Sequence, residues 1–451
     1  MSTNDKKVIT RFAPSPTGLP HLGTAMYALL NYIYARQNGG VVIMRSEDTD
    51  PVRSKPEYEE AIKEGLAWIG IKPDDFYRQS ERTDLYKKYI TKMVADGTVY
   101  ISTETNEEGK TRDLVRFKNP NKVVTFHDAS RGDISVDTTD LKDFIIARDV
   151  DSPLYHLTVV VDDFDMGVTH IIRGEDGLAN TPRQILIQEA IGAPRPVYAH
   201  YPFVIMPNRS KMGKRNGAGS LQDYRKQGYL PEAMVNFIIL MAWHPTDDRE
   251  LFLTEDLIKE FQLERIGKSG AIFDDKKLDW LNREYIKKLP KEEIEKNILE
   301  RLPEKMRNAK LIPLIFDRIS KWSDVDMMIE QGELDYFFTV PDVDTTKLVW
   351  KPARSATGVA GGDSTKEETQ KHLQKVVEIL TSASEESFAD AEKVKSLIFD
   401  YATENGRGNV LWPMRFALSG RDKSPDPFTL IYILGRGESV ARLKTAIEKL
   451  S

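Results

Sequence analysis

Two short stretches of this sequence carry groups suited to handling a polyphosphate. The first is Arg11-Phe12-Ala13-Pro14-Ser15-Pro16-Thr17-Gly18-Leu19-Pro20-His21-Leu22-Gly23-Thr24, placed where an apolar run ends and a helical pattern begins. Open α/β sheets bind ligands in the crevice at such strand ends. A helix N-terminus adds unpaired N–H groups and the positive end of the dipole. Gly23 leaves room for a nucleotide at close range, while His21 and Thr24 bring donors to the first turn. The second stretch, Ser210-Lys211-Met212-Gly213-Lys214-Arg215, lies much later, in a polar loop. Two lysines flanking a short flexible segment can close over a polyphosphate and meet charge developing at the α-phosphate. Neither stretch is diagnostic alone. H-x-G is more often a capped helix after a proline-rich turn, and a basic loop is more often solvated surface. The sequence has no G-x-x-x-x-G-K-[ST] phosphate loop.

The elements that must position these groups alternate. Val8-Ile9-Thr10 predicts a strand, and a helix follows from His21 to Asn38, with Ala25, Leu29, Tyr32 and Ile33 on one face and a stop at Gly39-Gly40. Val41–Met44 predicts a second, buried strand. Ser54 and Glu57 suggest a capping box, with Pro56 in the first turn of a helix presenting Tyr58, Ile62, Leu66 and Ile69. This order implies a parallel, Rossmann-type sheet. From residue 83 to 149 the pattern changes to a helix (Asp84–Asp96) and short strands at Leu114–Phe117, Val123–Phe126 and Phe144–Ala147. Strands are expected again at Tyr155–Val161 and Val168–Ile172, then a helix near Pro182–Ile191 and an apolar stretch Tyr201–Met206. Residues 83–149 therefore read as an α+β insertion in a split α/β domain formed by 1–82 and 150–210. From Leu221 onward helices dominate: Pro231–Trp243, Asp256–Gln262, Lys276–Lys288, Lys366–Thr381, Ala389–Thr403 and Glu438–Leu450. Residues 211–288 then hold the lysine loop and a helical domain, followed by two helical subdomains at 289–366 and 367–451. Ala353–Thr365 (ARSATGVAGGDST) has the composition of a flexible loop or linker.

A chain of 451 residues is too long for one core. No apolar run approaches a membrane span, and residues 1–8 lack the apolar stretch of a signal peptide. Cysteine is absent, so neither disulfides nor thiolate zinc sites form; the seven histidines never recur at i, i+3 or i, i+4. No metal site and a cytoplasmic location are the expectation. The net charge of −6 speaks against coating nucleic acid through a global field, but local basic surfaces remain, as at Arg209, Lys211, Lys214, Arg215, Arg225 and Lys226. A second cluster, Lys276, Lys277, Arg283, Lys287 and Lys288, is interleaved with acids and reads as a solvated helix face.

Taken together, the two phosphate-handling stretches resemble the paired signatures of class I aminoacyl-tRNA synthetases, H-x-G-H early and K-M-S-K-S late. The blocks narrow the resemblance to the glutamyl/glutaminyl branch and its bacterial-type glutamyl-tRNA synthetases. They are the Arg11–Gly18 run, Arg45-Ser46-Glu47-Asp48-Thr49-Asp50, Tyr155-His156-Leu157 with Val160-Val161-Asp162-Asp163, Ile172-Arg173-Gly174-Glu175-Asp176, Asn180-Thr181-Pro182-Arg183-Gln184 and Gly228–Ala233. They run in family order and extend to Trp412-Pro413-Met414-Arg415 and Leu418-Ser419-Gly420. The resemblance implies a glutamate–tRNA ligase that uses ATP with Mg2+, L-glutamate and tRNA(Glu). It implies that His21, Thr24, Lys211 and Lys214 stabilise phosphate charge, with Gly23, Glu175 and Met212 also at ATP. It further implies that Arg173 pairs with the glutamate side-chain carboxylate, that Glu47 holds the α-ammonium, and that Arg11, Ala13, Ser15 and Tyr155 complete the pocket. A structural ion pair of Arg173 with Asp176, or of Glu47 with Arg45, is the competing reading. Arg415, Arg421 and Lys423 are the tRNA-binding candidates of an anticodon-reading C-terminal half, with 83–149 as the insertion that meets the acceptor end.

Three departures from the family pattern stand out. Gly213 replaces the usual serine of the late motif, Val159 takes a pocket-side position that some members fill with a polar residue, and the insertion lacks the cysteines that hold zinc in some members. A zinc-free, monomeric enzyme is expected. The rivals are an enzyme that glutamylates a modified tRNA base and a catalytically impaired tRNA-binding homologue. The first is disfavoured by residues 289–451, and the second by His21, Lys211, Lys214, Glu47 and Arg173.

Overall fold

The computed structural model describes residues 7–105, 109, 111–206, 219–351 and 364–451, and the chain divides into two compact units, residues 1–288 and 289–451.

In the first unit, β1 (Ile9–Phe12), β2 (Val41–Ser46) and β3 (Asp75–Arg78) form a parallel sheet in the order β1-β2-β3. Between them run α1 (Leu22–Gln37) and α2 (Pro56–Trp68). Val42, Ile43 and Met44 are buried as a near-continuous apolar run, the pattern of a strand covered on both faces. A second sheet has the order β7-β6-β10-β9, from β6 (Val123–Asp128), β7 (Gly132–Asp137), β9 (His170–Gly174) and β10 (Val197–Tyr201). The two sheets meet where Thr169 donates its N–H to Ile9 O (2.9 Å) and its hydroxyl oxygen accepts from Ile9 N (2.9 Å). Buried Asn31 of α1 locks this junction by donating to Ile172 O (2.9 Å), and Thr10 Oγ1 donates to Asn31 O. Strand order thus reverses between β1 and β9, which creates a crevice outside the C-terminal ends of those strands.

Within the segment 83–149, α3 (Thr83–Ala95) leads into an antiparallel sheet of β4 (Val99–Thr105), β5 (Thr111–Phe117) and β8 (Phe144–Ala147). Its β6–β7 hairpin instead joins β10 and brings Asp128 beside the central strands.

Two local expectations are corrected. Residues 155–161, expected as a strand, begin the helix α4 (Tyr155–Asp165). Its run Thr158–Val161 has strand propensity, but Leu157–Asp163 is buried all round, and tertiary partners decide the conformation. Neighbouring side chains point to opposite faces in a strand but diverge by about 100° in a helix. The helix therefore lets Asp162 receive Arg82, Gln79 and Tyr86 while Asp163 receives Arg11 and Arg45. The expected capping box at Ser54 and Glu57 does not form. Pro56 occupies the start of α2, so the cap falls on Lys55, which makes no side-chain cap bond, and Ser54 Oγ is buried without a partner.

After α5 (Thr181–Ile191) the chain passes β11 (Val204–Ile205), α6 (Leu221–Lys226), α7 (Pro231–Ala242), α8 (Thr254–Glu260), β12 (Ala271–Ile272) and α9 (Asp275–Ile286). Lys277 on α9 and Lys287 just past its end pair with Glu250 and Glu284, the solvated face expected there.

The second unit is helical: α10 (Lys291–Arg301), α11 (Ile312–Phe316), α12 (Ser323–Glu330), α13 (Thr345–Leu348), α14 (Lys366–Ser382), α15 (Ala391–Glu404), α16 (Arg407–Ser419) and α17 (Pro427–Leu450). The expected helix at 438–450 is the second half of α17, after a kink at Gly435 (φ 79°). Val376 and Leu380 of α14, Ile398 of α15, Met414 of α16 and Leu443 of α17 are buried in this unit. Most of the glycine-rich linker candidate lies outside the described residues, and its last residue, Thr365, caps α14 in a capping box with Glu368. Among the described residues no helix is long and apolar enough to cross a membrane.

Candidate active site

The crevice between β1 and β9 opens into a cleft of about 400 Å³. Arg11 and Ala13 come from the end of β1, Glu47 follows β2, Tyr155 begins α4, and Arg173 sits near the end of β9. Ser15 lies in the proline-rich turn, and His21, Gly23 and Thr24 at the start of α1. Nine of the residues expected to act together therefore line one cleft, Arg11, Ala13, Ser15, His21, Gly23, Thr24, Glu47, Tyr155 and Arg173, and the departing Val159 lines it with them.

His21 is the N-cap of α1, and its Nδ1 accepts the Gly23 N–H at 3.1 Å. A Cβ on Gly23 would stand 2.9 Å from His21 Cε1, so glycine is what lets the ring fold over the helix end. A smaller hollow of about 160 Å³ shares His21, Gly23, Gly174 and Asp176 with the cleft and is backed by Met26, Phe203 and Val204. Ser220 bridges to His21, and Leu221 N–H donates to Pro20 O (2.9 Å), so the chain following the lysine loop is tied beside the histidine. Lys211, Met212, Gly213 and Lys214 themselves lie outside the described residues.

Arg173 is buried, 6% exposed, and its guanidinium is held by neutral groups. Nε donates to His200 Nε2 (3.0 Å), and Nη2 donates to Gly177 O (3.0 Å) and Thr181 Oγ1 (2.8 Å). Nη1 has no partner. A Cβ at Gly177 would lie 2.3 Å from Arg173 Nε, so this glycine makes the seat for the guanidinium. A buried cation with an unpartnered N–H group is what a carboxylate ligand completes.

Glu47 stands 3.6 Å from Arg45 Nη2, so the competing ion pair is present at long range. Burial nevertheless pushes its carboxyl up to about 7, against the pull of Arg45 and Arg11. Arg11 is more committed. Nε and Nη2 donate to the two oxygens of Asp163 (3.1 and 3.3 Å), and Nη1 donates to Tyr27 OH (2.9 Å). Asp163 also accepts from Arg45 Nη1 at 2.7 Å. Burial alone would raise Asp163, but Arg11 and Arg45 hold it below the usual carboxylate range.

Glu175 is placed differently from the other candidates. Its oxygens accept from Arg131 Nη2 (2.7 Å) and Phe203 N–H (2.9 Å), and it lines neither hollow. In the second unit Arg415 is a loop holder. It donates to Asp422 O (2.8 Å) and Ser424 O (3.4 Å) and lies over the Trp412 ring. The loop it holds presents Arg421 and Lys423 to a cavity of about 530 Å³ shared with Arg318 and Tyr336. Trp412 donates to Lys347 O and packs against Trp350 and Phe416.

Asp163, Tyr27, Gly177, Thr181 and His200 hold the site together although the sequence assigned none of them a role there. Asp162-Asp163 inside an apolar run was a usable signal, since buried acids require cations or donors. Among the described residues there is no group of three or more histidine, aspartate or glutamate side chains fit to hold a metal.

This fold and site define a class I aminoacyl-tRNA synthetase. Residues 7–113 and 107–280 match the model of the class I tRNA synthetases (E and Q), catalytic domain, and residues 271–447 match that of the anticodon binding domain. The glutamate–tRNA ligase of Aquifex aeolicus (strain VF5) is 46% identical over 319 residues, covering 63% of this chain and 67% of that one. That of Francisella tularensis subsp. novicida (strain U112) is 35% identical over 478 residues, covering 98% and 99%. A crystal structure of a glutamate tRNA ligase from Elizabethkingia meningosepticum CCUG26117, in complex with its amino acid, covers 99% of this chain and all of that one at 30% identity and a TM-score of 0.83. The chain belongs to the glutamate–tRNA ligases.

Proposed function

We propose that this cleft activates L-glutamate with ATP and passes the glutamyl group to the terminal adenosine of tRNA(Glu). The observation that supports it most is the pairing, in one cleft, of Arg173 with its open Nη1 and Glu47 with an ionisable carboxyl. Glutamate carries two carboxylates and one ammonium. Arg173 takes the side-chain carboxylate, Glu47 the ammonium, and Ser15, Ala13 and Tyr155 line the space between. Arg11, held by Asp163, adds positive potential more than a free fork. ATP extends from the smaller hollow, its phosphates over the start of α1, with Mg2+ arriving on the nucleotide. The α-carboxylate attacks the α-phosphorus in line, the bond to pyrophosphate breaks, and glutamyl-adenylate forms. His21, Thr24, Lys211 and Lys214 meet the charge on the phosphates, so positioning and electrostatics carry the step. The terminal 2′-hydroxyl of tRNA then attacks the adenylate carbonyl and releases AMP.

The remaining parts divide the tRNA among them, with residues 83–149 at the acceptor end, 211–288 along the stem, and 289–366 with 367–451 at the anticodon. The enzyme acts as a cytoplasmic monomer without zinc. Aminoacylation of purified tRNA(Glu) and tRNA(Gln) side by side, with ATP–pyrophosphate exchange, tests this reading. Charging of tRNA(Glu) with glutamate supports it. Exchange without charging of any tRNA end points to the base-modifying rival, and neither activity to the impaired homologue.

Two further predictions arise here. Because Glu47 is raised to about 7, its carboxylate disappears as the pH falls through that value. The kcat/KM for glutamate should then drop about tenfold per pH unit on the acid side, with the KM for ATP little changed. A profile that stays flat through pH 7 removes Glu47 from the ammonium site. Arg421→Ala should weaken charging of tRNA(Glu) by about 1–3 kcal/mol if it reads an unstacked base by hydrogen bonding or stacking. Its KM values for ATP and glutamate should stay at the parent level, and equal tRNA kinetics would free Arg421 of this role.

A further inference from the structure

Behind Arg173 lies a buried relay that the reaction as described does not use. His200, on β10, is fully buried, and its Nδ1 lies 2.6 Å from Asp128 Oδ2. Asp128, at the end of β6, is also fully buried. Its Oδ1 accepts from Ser130 Oγ (2.7 Å) and from the N–H groups of Ser130 (3.1 Å) and Arg131 (3.0 Å). A carboxylate fed by that many donors stays ionised, and bonds from His200 and Ser130 outweigh burial to keep it below its usual range. An ionised Asp128 accepts only, so the proton between the two residues sits on His200 Nδ1. Nε2 then carries a lone pair, and it points at Arg173 Nε, 3.0 Å away. The opposite tautomer would set an N–H against an N–H. Burial and the neighbouring Arg173 and Arg131 favour neutral imidazole, and the remaining titratable neighbour, Tyr198, stacks on the ring with its own phenol raised to about 12 by burial.

We infer that Asp128 and His200 are positioning residues for glutamate recognition: Asp128 fixes the tautomer of His200, and His200 turns the Arg173 guanidinium so that Nη1 is the edge left for the substrate's side-chain carboxylate. The inference rests on the reading of Arg173 as the carboxylate ligand. It explains why the guanidinium is gripped by neutral acceptors (His200 Nε2, Gly177 O and Thr181 Oγ1), since none of these cancels the charge the substrate needs. It also gives the β6–β7 hairpin a part in amino-acid selection, through Asp128 and the Ser130 that holds it.

The test uses the full-length enzyme in ATP–pyrophosphate exchange with tRNA present, with glutamate and ATP varied separately. His200→Leu removes the acceptor, His200→Gln supplies an amide oxygen near the place of Nε2, and Asp128→Asn releases the tautomer. His200→Leu and Asp128→Asn should each raise the KM for glutamate about tenfold or more, the range for losing a hydrogen bond to a charged group. The KM for ATP should change little, and His200→Gln should recover most of the loss. His200→Leu added to Arg173→Ala should cost no more than Arg173→Ala alone, because the two act through one contact. If Arg173→Ala leaves glutamate kinetics intact, the pocket reading itself fails. If Arg173→Ala is impaired while His200→Leu and Asp128→Asn are not, the relay is wrong and the pocket stands. Equal losses for glutamate and ATP, without recovery by glutamine, reduce His200 to a packing residue and overturn the inference. Should His200→Leu not fold, an unchanged glutamate KM in Asp128→Asn overturns it equally.

Discussion

Arg173→Ala is expected to abolish glutamate selection while leaving ATP binding close to normal. The guanidinium is buried, positioned by His200, Gly177 and Thr181, and keeps one buried nitrogen without a partner, in a residue that lines the cleft. Removing one side of a buried charged pair costs about 2–5 kcal/mol, which is a fall of about 30- to several-thousand-fold in kcat/KM for glutamate. Part of that loss is the substrate carboxylate giving up water without gaining a counter-charge. Arg173→Lys should not restore it, because an ammonium has neither the fork nor the planar Nε that His200 accepts from. Initial rates with glutamate varied at saturating ATP decide the matter, and an unchanged kcat/KM would take Arg173 out of the pocket.

Asp163→Ala should produce the largest stability loss in the catalytic unit. Asp163 is the shared counter-ion of Arg11 and Arg45, whose side chains are 2% and 0% exposed. Without it two guanidinium groups face each other in a buried site, with only Asp162 and Glu47 at 3.6 Å from Arg45 as compensation. Breaking a buried pair in this way costs about 3–5 kcal/mol. The direction of the pH effect follows from the lowered carboxyl. Its contribution is fully present above the ordinary carboxylate pKa and is lost as the pH falls through the lowered value. Urea unfolding of the two proteins near neutrality should show a lower midpoint for Asp163→Ala, and the gap should narrow on acidification. Coincident midpoints would mean that Arg11 and Arg45 find other partners.

Residues that touch the cleft were legible in the sequence because they cluster in short runs at strand ends, where the chain itself dictates their place. Arg11 to Thr24 is one such run, and Arg173 follows directly on an apolar strand. What was not legible depends on partners far along the chain. The valines of α4 favour a strand locally, and only Arg11, Arg45, Gln79, Arg82 and Tyr86 reveal why Asp162 and Asp163 must both be reached from a helix. Asp128 and His200 lie 72 positions apart and share no motif. Arg415 reads as a free cation in sequence, but the carbonyls of its own loop claim it. Ser54 suggested a cap because of its spacing to Glu57, and Pro56 shifted the helix start past it.

The join between β1 and β9 spans 160 positions of chain, with Ile9 on one side and Thr169 on the other. Contacts this distant in sequence form late, because a long loop must close before they contribute. During synthesis from the N-terminus, Arg11, Ser15, His21 and Glu47 emerge well before Arg173 and His200. A growing chain that has not yet released β9 therefore holds one wall of the pocket and lacks the Arg173 that would take the glutamate side chain. Selectivity for the amino acid therefore waits until β9, with β10 beside it, docks against β1.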